Sequence, residues 1–124
     1  KPWKAQEILA EIMHELYRNA PHGLCGNEDC GQMSAWFVLS AMGFYPVNPV
    51  GMTYDLGTPL FPRVEVSLPD GKTFTVVAKG LTKDNVYVRS VTYNGQPLDR
   101  LTITHDMIMS GGELVFEMAA EPAV

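Results

Sequence analysis

Apolar residues in the first 17 positions recur with the spacing of an amphipathic helix. They fall at i, i+4 and i+8 along one stripe, which comprises Ile8, Leu9, Ile12, Met13, Leu16 and Tyr17. Glutamates occupy the opposite side at positions 7, 11 and 15. Proline cannot continue a helix, and glycine favours the left-handed turn that ends one. We therefore expect the helix to stop within residues 19–23, which contain Pro21 and Gly23.

A second helix is predicted from about Gly31 to Met42, ending at Gly43. The segment has helical length, carries no charged residue and shows no polar face. A helix that is apolar all round is buried on most of its sides. One amphipathic neighbour and a small sheet do not supply enough cover for it. The sequence therefore predicts further partner helices, with burial against the β-region or within an oligomer as the alternatives.

The chain changes character near residue 46. Residues 46–62 are rich in proline, which removes backbone donors and disfavours helix before it, so an extended and irregular traverse is expected. Beyond residue 63, apolar and polar residues alternate in short runs, separated by turn sequences such as Pro69-Asp70-Gly71 and Asn94-Gly95. The short connections predict about six antiparallel strands that resemble half of a sandwich.

The composition is that of a folded globular chain, with 46% apolar and 19% charged residues over 124 positions. That length allows one domain or part of one, and the first residues already read as the start of an internal helix. The net charge of −5, with no Lys or Arg patch, argues against nucleic-acid binding and fits a neutral or cationic ligand. No stretch approaches the roughly 18 apolar residues of a membrane span.

An acidic loop at residues 23–32 precedes the second helix and carries the adjacent carboxylates Glu28 and Asp29. Asp29, with Gln32 three residues later, matches a capping box at the helix N-terminus. A carboxylate at that position stays ionised, which is also what a general base requires. Glu28 and Asn27 add oxygen atoms of the kind that calcium prefers, although the spacing is not that of an EF-hand. Structural and catalytic interpretations of Asp29 both remain open at this point.

Two cysteines, Cys25 and Cys30, flank the acidic pair. They could close a short disulfide in an oxidising compartment or remain free thiols. A zinc site with His22 would need further ligands that are not nearby. The other candidates have packing or surface interpretations: His14 in the first helix, His105 in a short β-connection, and Trp3 and Trp36 as core aromatics rather than sugar platforms.

The acidic loop belongs to a long motif, GNEDCGQMSAW at residues 26–36 followed by SAMGFYPV at residues 40–47. This motif closely resembles the signature of the glycoside hydrolase family 92 α-mannosidases. Later family segments are resembled by YDLGTPLFP at residues 54–62, NGQPL at residues 94–98 and HDMIMSGG at residues 105–112. The likeness runs from about Trp3 to Met118, which is nearly the whole chain.

The resemblance implies a fragment of a longer protein. Family members pair an N-terminal β-sandwich with an (α/α)6 barrel and act as calcium-dependent, inverting exo-α-mannosidases. Residues 1–45 would be the terminal helices of that barrel, residues 46–62 the traverse, and residues 63–124 an antiparallel, sandwich-like C-terminal region, giving an α+β fragment. The implied substrate is a mannose-containing glycan of the N-glycan or mannan type, with α-1,2 linkages, and the implied location is periplasmic, cell-surface or secreted in a bacterium.

The resemblance also implies roles for individual residues. Asp29 matches the carboxylate taken as the general base, while Asn27 and Glu28 match positions in the sugar or calcium shell. Position 27 is aspartate in some members but asparagine here. One negative charge is therefore absent, which leaves Asp29 as the better candidate for the base. The general acid and most calcium ligands would lie in an earlier part of the barrel, so we expect the chain alone to be inactive and to bind no calcium. The alternatives are a non-catalytic carbohydrate-binding or assembly module and a calcium-stabilised structural module.

Overall fold

The structure is a computed structural model that describes residues 1–123. Helices α1 and α2 lead the chain, and a short helix α3 lies between the last two strands; their bounds are Pro2–Glu15, Gln32–Met42 and His105–Met109. The strands β1 to β8 cover Phe44–Tyr45, Thr53–Leu56, Arg63–Ser67, Thr73–Lys79, Tyr87–Tyr93, Gln96–Pro97, Thr102–Thr104 and Glu113–Ala119. A 3-10 turn at Pro49–Gly51 precedes β2.

The strands form two sheets, a three-stranded sheet in the order β1-β2-β7 and a five-stranded sheet in the order β3-β4-β8-β5-β6. The expectation of a purely antiparallel region is wrong at one ladder, because β8 runs parallel to β4, with Thr75 opposite Glu113. The remaining ladders among residues 1–123 are antiparallel. Short connections dictate antiparallel pairing only between consecutive strands. β8 instead inserts between β4 and β5 after the chain has passed through α3.

One further expectation from the sequence is corrected. The traverse at residues 46–62 is not irregular throughout, because Thr53–Leu56 forms β2 between β1 and β7. The prolines of this segment lie outside the strand, which leaves the backbone of β2 free to pair. His105 lies in the short connection between β7 and β8 as expected, and there it begins α3. The N-terminus of α3 is capped by the Thr104 hydroxyl, which accepts from the Met107 N–H at 3.3 Å.

The hydrophobic core joins the two sheets. Phe44 and Ile103 from the three-stranded sheet belong to the same buried cluster as Phe74, Leu114 and Phe116 from the five-stranded one. The rings of Phe44 and Phe74 meet edge to face at 6.1 Å. The core therefore holds the end of α2 and the β-region in one unit, since β1 directly follows that helix.

Helix α1 is amphipathic as expected, but the face that it buries is shifted. Its buried residues are Gln6, Ala10 and Met13, whereas Ile8 and Leu16 stay 45% and 49% exposed. The helix ends at Glu15, with Leu16 as its C-cap, which is earlier than the segment expected to stop it. Gly23 does not end the helix, but the turn that follows requires a glycine there. A Cβ atom at this position would lie 1.8 Å from the Arg18 carbonyl oxygen and would clash with it.

Helix α2 confirms the expected bounds, and its C-cap Gly43 is left-handed with φ +102°. Within residues 1–123, only Ser40 and Ala41 of this helix are buried, and Val38 is 56% exposed. The buried Ser40 hydroxyl has no hydrogen-bond partner among the described residues. Much of this apolar helix is therefore uncovered. No helix in residues 1–123 is long and apolar enough to cross a membrane.

Candidate functional site

The acidic loop is fastened to the N-terminus of α2 by Glu28. One carboxylate oxygen of Glu28 accepts the Met33 N–H at 2.9 Å, and the other accepts the Ser34 N–H at 2.9 Å together with the Ser34 hydroxyl. The N-cap residue itself, Gly31, offers no side chain and adopts φ +77°. The first N–H groups of a helix lack intrahelical partners, so Glu28 supplies a cap from outside the helix.

The expectation that Asp29 caps α2 in a box with Gln32 is wrong. Asp29 contributes its backbone instead, with its carbonyl accepting the Gln32 N–H at 3.0 Å. Cys30 and Gly31 are both left-handed, at φ +54° and +77°, and this double turn moves Asp29 away from the N-cap position. The Asp29 side chain is exposed, and no hydrogen bond joins it to another residue of the described chain. A left-handed conformation costs energy in a residue other than glycine, so the backbone is strained at Cys30, directly beside Asp29.

The electrostatics of the loop follow from these contacts. The hydrogen bond from the Ser34 hydroxyl is the largest effect and lowers the pKa of Glu28 below its usual 4.5. Desolvation raises this pKa, and the hydrogen bonds from the Met33 and Ser34 N–H groups lower it further. Burial raises the pKa of Tyr17, with contributions from Cys25 and from the charge of Glu28. Tyr17 also stacks on Trp36 and Phe37, with ring centroids 5.6 and 4.9 Å apart. Glu28 is thus held ionised at neutral pH.

The remaining candidates from the sequence occupy ordinary positions. Cys25 and Cys30 are free thiols on the exposed loop. His22 and His14 are exposed, and Trp36 packs on Tyr17 as a half-buried aromatic. The imidazole of His105 shares a hydrogen bond of 3.0 Å with the Tyr54 hydroxyl, which ties α3 to β2. Trp36 and His105 therefore have structural contacts, whereas the two thiols and the other two histidines are only exposed.

Sequence reasoning missed Ser34 as a member of the site. A serine in the first turn of a helix, preceded by an acidic residue in the adjoining loop, is a signal that could have identified this pair. The sequence places Tyr17 in the apolar stripe of the first helix. Its contact with the acidic loop has no signature in local spacing, because it depends on how α1 packs against α2.

Acidic and other metal-binding side chains within residues 1–123 are the groups of the described chain that could contribute to a calcium site. Calcium takes 6–8 oxygen ligands, and no group of three or more His, Cys, Asp or Glu residues within positions 1–123 is arranged to hold a metal. Both carboxylate oxygens of Glu28 face the N-terminus of α2. Asn27 is exposed beside it, and its amide oxygen takes no part in this cap.

Comparison with known proteins identifies the family. The family model described as the glycosyl hydrolase family 92 catalytic domain matches residues 1–120. The chain belongs to glycosyl hydrolase family 92. A solved structure of a family 92 inverting mannosidase from Bacteroides thetaiotaomicron VPI-5482 is 47% identical, with a TM-score of 0.90 over 98% of this chain.

Two further relatives support the family 92 assignment. A family 92 α-mannosidase from Bacteroides thetaiotaomicron, solved with mannoimidazole, is 38% identical with a TM-score of 0.92 over 98% of this chain. A fungal protein described as an uncharacterized secreted glycosidase, from Arthroderma benhamiae, is 33% identical over 85% of this chain. The chain spans 17% and 16% of the two bacterial proteins and 14% of the fungal one.

Proposed function

We propose that this chain is the C-terminal part of an inverting exo-α-mannosidase and that Asp29 is its general base. The observation that carries the proposal is the contrast within the acidic pair. Both carboxylate oxygens of Glu28 accept N–H groups at the N-terminus of α2. The Asp29 carboxylate is exposed, and only its backbone carbonyl takes part in the turn that leads into the helix. A general base needs a lone pair free to accept a proton from water. Of the two carboxylates, Asp29 meets this requirement.

The proposed reaction is direct displacement at the anomeric carbon. Asp29 takes a proton from a water molecule, the oxygen of that water attacks the face opposite the leaving group, and a second carboxylic acid protonates the departing oxygen. In inverting glycosidases the two carboxyl groups stand about 6.5–9.5 Å apart to leave room for the water. Following the resemblance to family members, the proposal puts that acid in an earlier part of the barrel, outside this chain.

The proposal extends to the substrate and to calcium. The substrate is a mannose-containing glycan of the N-glycan or mannan type with α-1,2 linkages, met by a periplasmic, cell-surface or secreted enzyme. Calcium dependence would belong to the intact enzyme, with most ligands outside this chain and Asn27 as a contact to the sugar or the ion. The free amide of Asn27 supports that assignment, whereas the engaged carboxylate of Glu28 argues against a ligand role for it.

The proposed partner is the remainder of the same polypeptide. A groove of about 620 Å³ runs between the end of α1 and α2, lined by apolar residues that include Phe37, Val38 and Leu60. Both this groove and the charge-free helix α2 beside it are exposed. Their exposure supports the proposal that residues 1–45 form the terminal helices of the barrel and pack against its other helices. The chain alone is then expected to release no mannose from an α-mannoside, and measurable release by the purified, folded 124-residue chain would contradict this.

The assignment of the base is tested by Asp29→Asn in the intact enzyme. The amide keeps the size of the side chain but cannot accept the proton, so kcat should fall by roughly 10²- to 10⁴-fold while KM changes little. Proton NMR of the first product should show the β-anomer of mannose with the wild-type enzyme. If the variant retains near wild-type turnover, the base is a different residue, and the alternative of a non-catalytic carbohydrate-binding module gains support.

A further inference from the structure

The acidic loop is closed into two nested rings that share the N-terminus of α2. The outer ring is closed by the side chain of Glu28 on the N–H groups of Met33 and Ser34, both at 2.9 Å. The inner ring is closed by the Asp29 carbonyl on the Gln32 N–H at 3.0 Å. Asp29 lies within both rings: its carbonyl oxygen closes the inner ring, and its side chain makes no hydrogen bond within the described chain.

We propose that Glu28 is a positioning residue that acts through its cap on α2 to aim the Asp29 carboxylate, and that it is not a ligand of sugar or calcium. This rests on the proposed function, because it takes Asp29 as the base. The left-handed pair Cys30 and Gly31 gives the reason why the loop needs such an anchor. The cap of Glu28 offsets the strain at Cys30 and prevents the loop from relaxing to an ordinary N-cap with Asp29.

The hydrogen-bond inventory of Glu28 argues against a ligand role. Its two oxygens already receive three donors, namely two backbone N–H groups and the Ser34 hydroxyl. Turning this carboxylate toward a sugar or an ion would leave the Met33 and Ser34 N–H groups without partners at the helix end. Hydrogen bonds to a charged acceptor are stronger than neutral ones, so the present arrangement is the favoured one.

Ser34 shares the positioning role. Its hydroxyl and its N–H meet the same oxygen of Glu28, which fixes the rotation of the carboxylate as well as its position. Threonine keeps a hydroxyl at this place and alanine does not. The pair Ser34→Thr and Ser34→Ala therefore separates loss of the hydrogen bond from a change in side-chain size.

The test uses the intact enzyme with Glu28→Gln, Ser34→Ala, Ser34→Thr and the double variant Glu28→Gln/Ser34→Ala. We expect Glu28→Gln to lower kcat by about 10²-fold, the cost of a misplaced catalytic group, with KM and the calcium concentration for half-maximal activity unchanged. Ser34→Ala should give a smaller loss, and Ser34→Thr should keep more turnover than Ser34→Ala. The double variant should lose less than the product of the single effects, because the two residues act as one unit. A rise in KM or in the calcium requirement, with kcat retained, would overturn the proposal in favour of a ligand role.

Hydrogen exchange separates this proposal from the proposed function. The amides of Met33 and Ser34 should lose protection by about tenfold in Glu28→Gln, whatever residue is the base. If Asp29→Asn keeps its turnover, the assignment of the base fails, and the positioning role fails with it. If Asp29→Asn is inactive and Glu28→Gln loses amide protection without loss of kcat, the positioning role alone is overturned.

Discussion

Gly43 lies against the ring of Phe116: a Cβ atom at Gly43 would stand 2.9 Å from Cζ and 3.1 Å from Cε2. Phe116 belongs to β8, the central strand of the five-stranded sheet, and is fully buried. Gly43 also ends α2 in a left-handed conformation, with φ +102°. One glycine therefore ends the helix of the acidic loop and permits its contact with the core of the β-region.

We predict that Gly43→Ala destabilises the packing of α2 on the sheet by about 3 kcal/mol, because it adds a left-handed alanine and overpacks the Phe116 ring. Gly71→Ala is the matched control, since Gly71 is also left-handed, at φ +82°, but has nothing within 4 Å of its Cβ position. It should cost about 1 kcal/mol, the conformational penalty alone. Hydrogen exchange of the β8 amides in the intact enzyme measures the loss of stability in both variants. Equal losses in Gly43→Ala and Gly71→Ala would show that the Phe116 contact is unimportant.

Gln6 provides the contact between α1 and the sheet. It is 3% exposed, and its side-chain oxygen accepts the Val88 N–H at 3.1 Å. No strand pairs with β5 on that side at Val88, because β6 pairs only with Thr92 and Tyr93. Gln6→Met keeps the volume and leaves this donor unpaired, so we predict a loss of about 1–3 kcal/mol in stability. The exposed Gln96→Met serves as the control, and equal thermal unfolding of both variants would contradict the role of the hydrogen bond.

The pKa of Glu28 predicts a pH dependence of the loop. Because the pKa in the folded state is lowered, the stabilisation by Glu28 is fully present above its usual 4.5 and is lost as the pH falls through the folded value. NMR titration of the Glu28 carboxyl carbon should give a midpoint below 4.5, and Ser34→Ala should move it upward. A midpoint at or above 4.5 in the wild-type enzyme would show that the cap is absent in solution.

The pattern of apolar residues predicted the main elements well where local rules decide them. The end of α2 at Gly43 and the Asn94-Gly95 hairpin, with both residues at positive φ, follow from turn chemistry alone. The parallel pairing of β4 and β8 did not follow, since it depends on where a distant strand enters the sheet. β2 was missed because its partners, β1 and β7, are short strands separated from it in sequence.

The acidic loop shows the same division between local and tertiary information. Its place at the N-terminus of α2 was readable from Gly31 and the apolar run that follows. Which carboxylate caps the helix was not, because the capping-box rule assumes an extended N-cap residue, whereas Cys30 and Gly31 are left-handed here. The exchange of roles between Glu28 and Asp29 is therefore a consequence of backbone conformation that spacing does not encode.

Chemical rescue tests the assignment of Asp29 most directly. In the intact enzyme, Asp29→Ala with an aryl α-mannoside should be nearly inactive in water, because no group removes the proton from the attacking water. Azide is a nucleophile that needs no base, so its attack on the anomeric carbon, with departure of the protonated aryl alcohol, should restore turnover and give β-mannosyl azide. Rescue with that anomer is the result that the account predicts. Full activity of Asp29→Ala without azide, or rescue that gives the α-azide, would contradict it.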